Sequence, residues 1–182
     1  MDSPPTLTCR ARNKVTRQTQ AMPVLALIQC AMSVDSEANL RRASALVEEA
    51  AGRGADIICL PELFRTRYFP QTEEARNFEL AEPADGPSVT AMTELARRCG
   101  VALVVPFFER RAPGLYHNSL VVLDARGERI AKYRKLHIPD DPCFYEKYYF
   151  TPGDLGFQVA ECGRRSAEPL RRQSLVHRPS RC

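Results

Sequence analysis

Glu62 and Lys135 are the residues of this chain whose type and setting best fit chemistry. Glu62 closes the apolar run Ala55-Asp56-Ile57-Ile58-Cys59-Leu60-Pro61, and Lys135 stands in Lys132-Tyr133-Arg134-Lys135-Leu136-His137-Ile138-Pro139. Hydrolysis of an unactivated amide or ureide needs a strong nucleophile, a base that activates it and later protonates the leaving amine, and a cation or donor for the oxyanion. Glutamate, lysine and cysteine can supply all three. The seven cysteines, at 9, 30, 59, 99, 143, 162 and 182, form no CxxC pair, and an odd total without a secretion signal argues against a disulfide framework. Reduced thiols in a cytosol-like compartment fit better. That spacing also argues against a cysteine zinc site, and His117, His137 and His177 show no clustered ligand spacing, so neither metal nor cofactor is expected.

The elements that must position these groups follow from period and punctuation. Val24-Leu25-Ala26-Leu27-Ile28 is a short continuous apolar run of the kind that fills a strand buried on both faces. Polar cap candidates from Ser33 to Glu37 then precede Leu40, Ala43, Val47 and Ala50 at helical spacing, before Gly52. Residues 55–60 predict a second buried strand. Val89, Met92, Ala96 and Cys99 mark a second amphipathic helix, between Asp85-Gly86-Pro87 and Gly100, and residues 101–108 a third strand. Residues 117–123 and 129–134 flank Asp124-Ala125-Arg126-Gly127-Glu128, whose glycine can take a positive φ, which predicts a β-hairpin. This order implies an α/β fold with a largely parallel sheet and helices on one face. Glu62 then lies just past the carboxyl end of a parallel strand, where open α/β sheets place ligands.

With 182 residues and 44% hydrophobic content, the chain can form one domain with a core. Its apolar stretches fall far short of the roughly 20 residues that span a bilayer, so a soluble, cytoplasmic protein without a membrane partner is expected. Residues 1–159 carry 20 Lys+Arg against 20 Asp+Glu, whereas residues 160–182 carry six arginines against two glutamates. The whole net charge of +4 therefore lies in the last segment, and the basic body that would suit nucleic acid is absent. A nucleic-acid arm in the tail is a weaker alternative. Residues 1–21, with Arg10, Arg12, Lys14 and Arg17 against Asp2 alone, read as a disordered leader, an organelle transit peptide being the alternative. Residues 160–182 read as an unpatterned, disordered, Arg-rich tail.

The Pro61-Glu62 and Tyr133-Arg134-Lys135-Leu136-His137 motifs, followed by Tyr145-Glu146 and Thr151-Pro152-Gly153-Asp154, resemble the carbon-nitrogen hydrolases, also called the nitrilase superfamily. The likeness runs over residues 22–159. Glu62 to Phe69, Asn118-Ser119 and residues 137–154 are most similar to the N-carbamoylputrescine amidase branch. The resemblance implies that Glu62 is the general base, that Lys135 stabilises the tetrahedral intermediate, and that Glu146 is a second carboxylate that holds the lysine and positions the substrate. A carboxylate beside the lysine keeps it charged, as an oxyanion stabiliser must be. It also implies a small-molecule carbamoyl or amide substrate, cleaved to amine, CO2 and ammonia in polyamine metabolism, and a homo-oligomer.

In the family the nucleophile follows in Gly-x-x-x-Cys-x-Asp, about a dozen residues past Val159, where this sequence has arginines. A truncation or altered reading frame from about residue 160 is the expectation, with no turnover by this chain. Cys59, three residues from Glu62, should point to the opposite face as an inert core thiol. Cys30 reads similarly, Cys99 fits the helix's core stripe, Cys143 is the most reachable thiol, on a loop near Glu146, and Cys162 lies in the tail. The implied architecture is an incomplete four-layer αββα sandwich of the nitrilase type, about its first half. One sheet face should then lack its cover, which favours poor solubility or partner binding. A non-catalytic module that binds a full-length homologue is the alternative.

Overall fold

In the computed structural model, which describes residues 22–162, the chain opens with β1 (Leu25–Leu27) and passes into α1 (Ser36–Gly52). Asp35 caps that helix, its carboxylate accepting from the backbone N–H groups of Glu37 and Ala38 at 2.9 and 3.0 Å. Next come β2 (Ile57–Cys59), two 3-10 turns (Phe69–Gln71 and Ala75–Leu80) and α2 (Pro87–Cys99). Gly100 ends α2 in the left-handed conformation, φ 68°, which a residue without Cβ adopts at little cost. β3 (Ala102–Ala112), β4 (Leu115–Leu123), β5 (Arg129–Arg134) and the single turn α3 (Glu146–Tyr149) complete the described chain. The leader over residues 1–21 and the tail beyond Cys162 lie outside the described residues. No helix among the described residues is long and apolar enough to cross a membrane.

The five strands form one sheet in the order β1-β2-β3-β4-β5. β1-β2 and β2-β3 pair in parallel over three residues each, and β3-β4 and β4-β5 are antiparallel, joined by turns at Gly114 and Gly127 respectively. The sheet is therefore mixed rather than largely parallel, because short turns join β3 to β4 and β4 to β5 and reverse the chain each time.

One face carries Ile58, Leu103, Val105, Val121 and Leu123, which pack against Ala43 and Val47 of α1 and Met92, Leu95 and Ala96 of α2 in the main core. The stripes expected for the two helices are those that meet the sheet. On the opposite face Ile57, Cys59, Val104, Pro106, Leu120 and Val122 are only partly covered. The reading of residues 24–28 and 55–60 as strands buried on both faces is corrected accordingly. β1 is an edge strand, with Leu25 58% and Leu27 73% exposed, and no layer among the described residues covers the open face.

A second, aromatic core joins the 3-10 turns to the far end of the sheet. Phe69, Phe108, Tyr149, Phe150, Phe78 and Tyr116 meet there, with ring centroids such as Phe69–Phe108 at 4.9 Å and Phe69–Tyr149 at 4.9 Å edge to face. The Tyr149 hydroxyl donates to the Thr72 carbonyl at 2.5 Å and accepts from the Glu74 N–H at 2.8 Å, so the buried phenol is satisfied. This core fixes the segment after Glu62 against the segment that carries Glu146.

Candidate active site

Glu62, Lys135 and Glu146 are brought together from three separate elements. Beyond β2 the backbone turns, and Leu63 takes a left-handed φ of 51° with its side chain buried in the aromatic core. That packing holds an unfavourable conformation, and it leaves the Glu62 side chain 49% exposed. Strand alternation from Cys59 does not reach Glu62, because β2 ends at Cys59. The expectation that the two side chains oppose each other is corrected: Cys59 is half-buried on the open face, and Glu62 reaches Asn118 on that same face.

Lys135 follows β5 directly. Its N–H donates to the Asn118 carbonyl at 2.8 Å, and its own carbonyl accepts from the Gly153 N–H at 2.8 Å, so its backbone is held on both sides. Glu146 opens α3 and its side chain is 3% exposed. The Lys135 Nζ donates to Glu62 Oε1 at 3.1 Å and to Glu146 Oε1 and Oε2 at 3.1 and 2.8 Å. Burial of Lys135 works against its charge, but the Glu146 and Glu62 carboxylates outweigh that and raise its pKa above the ordinary 10.5. The ammonium is thus held charged beside one buried and one half-exposed carboxylate.

Two further side chains, Tyr68 and Asn118, complete the cluster, and the sequence motifs assign them no role. The Tyr68 hydroxyl donates to Glu146 Oε1 at 2.7 Å. Burial, then the bond to Glu146, pushes this phenol well above its usual range, so it stays a donor. Asn118 Nδ2 donates to Glu62 Oε1 at 2.6 Å. The sequence signal for Asn118 was present: two polar residues, Asn118 and Ser119, interrupt an apolar strand, and buried polar groups must find partners.

On the other side of the sheet, Ser119 Oγ donates to Glu109 Oε2 at 2.6 Å. Glu109, 2% exposed, also accepts from Arg134 Nε and Nη2, both at 2.9 Å, and from Lys132 Nζ at 2.5 Å. Arg134 continues to Asp154 at 2.7 Å. Burial alone would raise the Glu109 pKa, but Arg134, Lys132 and Ser119 bring it down to about 2. The residue beside Lys135 is thereby anchored to both β3 and the segment that follows α3.

Five cysteines lie among the described residues. None of Cys30, Cys59, Cys99, Cys143 and Cys162 bonds to Glu62, Lys135 or Glu146. Burial pushes the Cys59, Cys99 and Cys162 thiols up, against thiolate formation, while Cys143 is exposed on its loop with φ 66°. Among the described residues no group of three or more His, Cys, Asp or Glu side chains could hold a metal ion.

The carbon-nitrogen hydrolase profile matches residues 24–166. The chain is 43% identical over 136 residues to N-carbamoylputrescine amidase of Solanum lycopersicum, covering 74% of this chain and 45% of that protein. It is 42% identical over 137 residues to the Arabidopsis thaliana enzyme of that name, covering 75% and 46%. Among solved structures it is similar to a carbon-nitrogen hydrolase from Helicobacter pylori, with TM-score 0.72, 39% identity, and 76% of this chain and 48% of that one covered. An amidase from Nesterenkonia sp., solved with acrylamide added at its active-site cysteine, gives TM-score 0.65 at 25% identity, covering 79% and 55%. The chain thus spans about half the length of the relatives it matches. A matching profile over most of the chain, close relatives and a shared fold agree that this chain belongs to the carbon-nitrogen hydrolase family.

Proposed function

We propose that Glu62, Lys135 and Glu146 are the base, the oxyanion-stabilising cation and the second carboxylate of an amidase-type site. The substrate class is a carbamoyl or amide small molecule, with N-carbamoylputrescine favoured, hydrolysed to amine, CO2 and ammonia in polyamine metabolism. The observation that carries this reading is the contact of one Lys135 ammonium with both Glu62 and Glu146. The similarity to proteins named N-carbamoylputrescine amidase supports the choice of substrate. A cytoplasmic setting, a homo-oligomer in the complete family and no membrane partner go with this reading, and the even charge of residues 1–159 supports the lack of a nucleic-acid partner. An amidase of this kind attacks with a cysteine, and none of the described cysteines is hydrogen-bonded to the cluster, so the 182-residue chain by itself is expected not to turn over.

Titration with N-carbamoylputrescine, followed by NMR, should shift the signals of Lys135, Glu62 and Tyr68, and Lys135→Ala should abolish the response. No shift in the wild-type chain would refute the ligand site. Ammonia release that depends on the chain and disappears in Glu62→Ala would refute the lack of turnover while supporting the base role. A second reading, a non-catalytic module that binds a full-length homologue, is favoured by the exposed Leu25, Leu27, Phe157 and Val159. Co-purification with a complete homologue would support it, and a monodisperse monomer in the presence of one would count against it.

A further inference from the structure

We propose that Asn118 is a positioning residue that fixes the Glu62 carboxylate through Oε1 and so leaves Oε2 as the proton-accepting oxygen. This rests on Glu62 being the base of the proposed site. A half-exposed glutamate on a turn otherwise keeps much of its rotamer freedom. A lysine contact in partial solvent restrains such a side chain only weakly. Asn118 is buried, and its Nδ2 donates to Glu62 Oε1 at 2.6 Å, the same oxygen that accepts from Lys135 Nζ at 3.1 Å. No described residue donates to Oε2. The two carboxylate oxygens therefore differ: one is anchored twice, and the other is open.

The choice of side chain matters as well. A neutral amide orients the carboxylate without placing a second positive charge next to it, and a charge-assisted hydrogen bond is directional. The carbonyl of the same residue accepts the Lys135 N–H at 2.8 Å. Asn118 thus sets both the carboxylate and the backbone of its counter-ion, and geometry between the two cannot drift without moving β4.

Exchange of the Lys135 side-chain amine protons with water tests this without any ligand, so its failure is separable from failure of the ligand titration. The signal is identified as the one lost in Lys135→Arg. Asn118→Ala is expected to speed exchange about tenfold, because Glu62 leaves the amine when its anchor is gone. In a Glu62→Ala background the same change should alter exchange less than about twofold. Equal acceleration in both backgrounds, or none in a folded Asn118→Ala chain, would overturn the assignment. Asn118→Leu keeps the branched shape without leaving a cavity, and must give the same pattern if alanine leaves a destabilising cavity. Loss of fold in both variants would make Asn118 a structural residue and overturn the positioning role.

Discussion

Glu109→Gln should cost the chain roughly 3 kcal/mol of folding stability, and the size follows from two separate arguments. Glu109 is 2% exposed and accepts from Arg134, Lys132 and Ser119. Its pKa falls from 4.5 to about 2, which by linkage corresponds to roughly 3 kcal/mol. Removing one partner of a buried ion pair costs about 3–5 kcal/mol, because the other charge stays buried, and Arg134 is itself buried, with Asp154 its one remaining carboxylate among the described residues. Urea denaturation at neutral pH measures the loss directly, and a thermal melt should drop by roughly 6–12 °C. The pH dependence gives an internal check. A carboxylate with a depressed pKa stabilises above its unfolded value, 4.5 here, and loses that contribution as pH falls toward about 2. Other carboxylates titrate in this range, so the difference between wild type and Glu109→Gln is the quantity to plot. A loss under about 1 kcal/mol, or a difference that does not shrink between pH 4.5 and 2, would refute the reasoning.

Two further outcomes follow from the site. Lys135 has a raised pKa, so its pairing with Glu146 and Glu62 stabilises fully below 10.5 and is lost as pH rises through the higher folded value. Urea midpoints on either side of that range should show an alkaline decline in the wild type that Lys135→Met lacks, and parallel curves would contradict this. In Gly153→Ala the added Cβ would run into the backbone carbonyl of Arg134, and the Gly153 N–H bond to Lys135 leaves little room to move. A loss of about 1–3 kcal/mol is expected, and an unchanged melting temperature would show that the residues around Gly153 give way freely.

What could be read in the sequence was local and periodic. Val47 and Met92 sit on helical stripes, Gly100 stops a helix, and Gly127 turns a hairpin, because each depends on its near neighbours alone. The depth of the strands was not readable: Leu25 and Leu27 belong to an apolar run, yet their exposure depends on what covers the sheet. Glu62, Lys135 and Glu146 were legible through their motifs. Their mutual contact is set by the aromatic core and by the turn at Leu63, where the alternation counted from Cys59 breaks. Tyr68 and Arg134 lie in segments that carry the resemblance, yet neither they nor Glu109 could be given a role, because a tyrosine or a charged residue near the end of a strand looks like a solvated one until its partner, 78 or 25 positions away, is known.

The adjacent polar residues of β4 also decide how the hairpin strands align. β4 is apolar on both faces, with Val121 and Leu123 toward the helices and Leu120 and Val122 away from them. Hydrophobic patterning therefore discriminates poorly between this alignment and one shifted by a residue. Asn118 and Ser119 remove the ambiguity, since Asn118 meets Glu62 on one face and Ser119 meets Glu109 on the other. A slip by one residue would exchange the two, and a slip by two would carry both about 7 Å from their partners. Either would strand the Glu109 carboxylate without its hydroxyl donor and Glu62 without its amide, so the polar pair that supports the candidate site also penalises misaligned pairings of the hairpin.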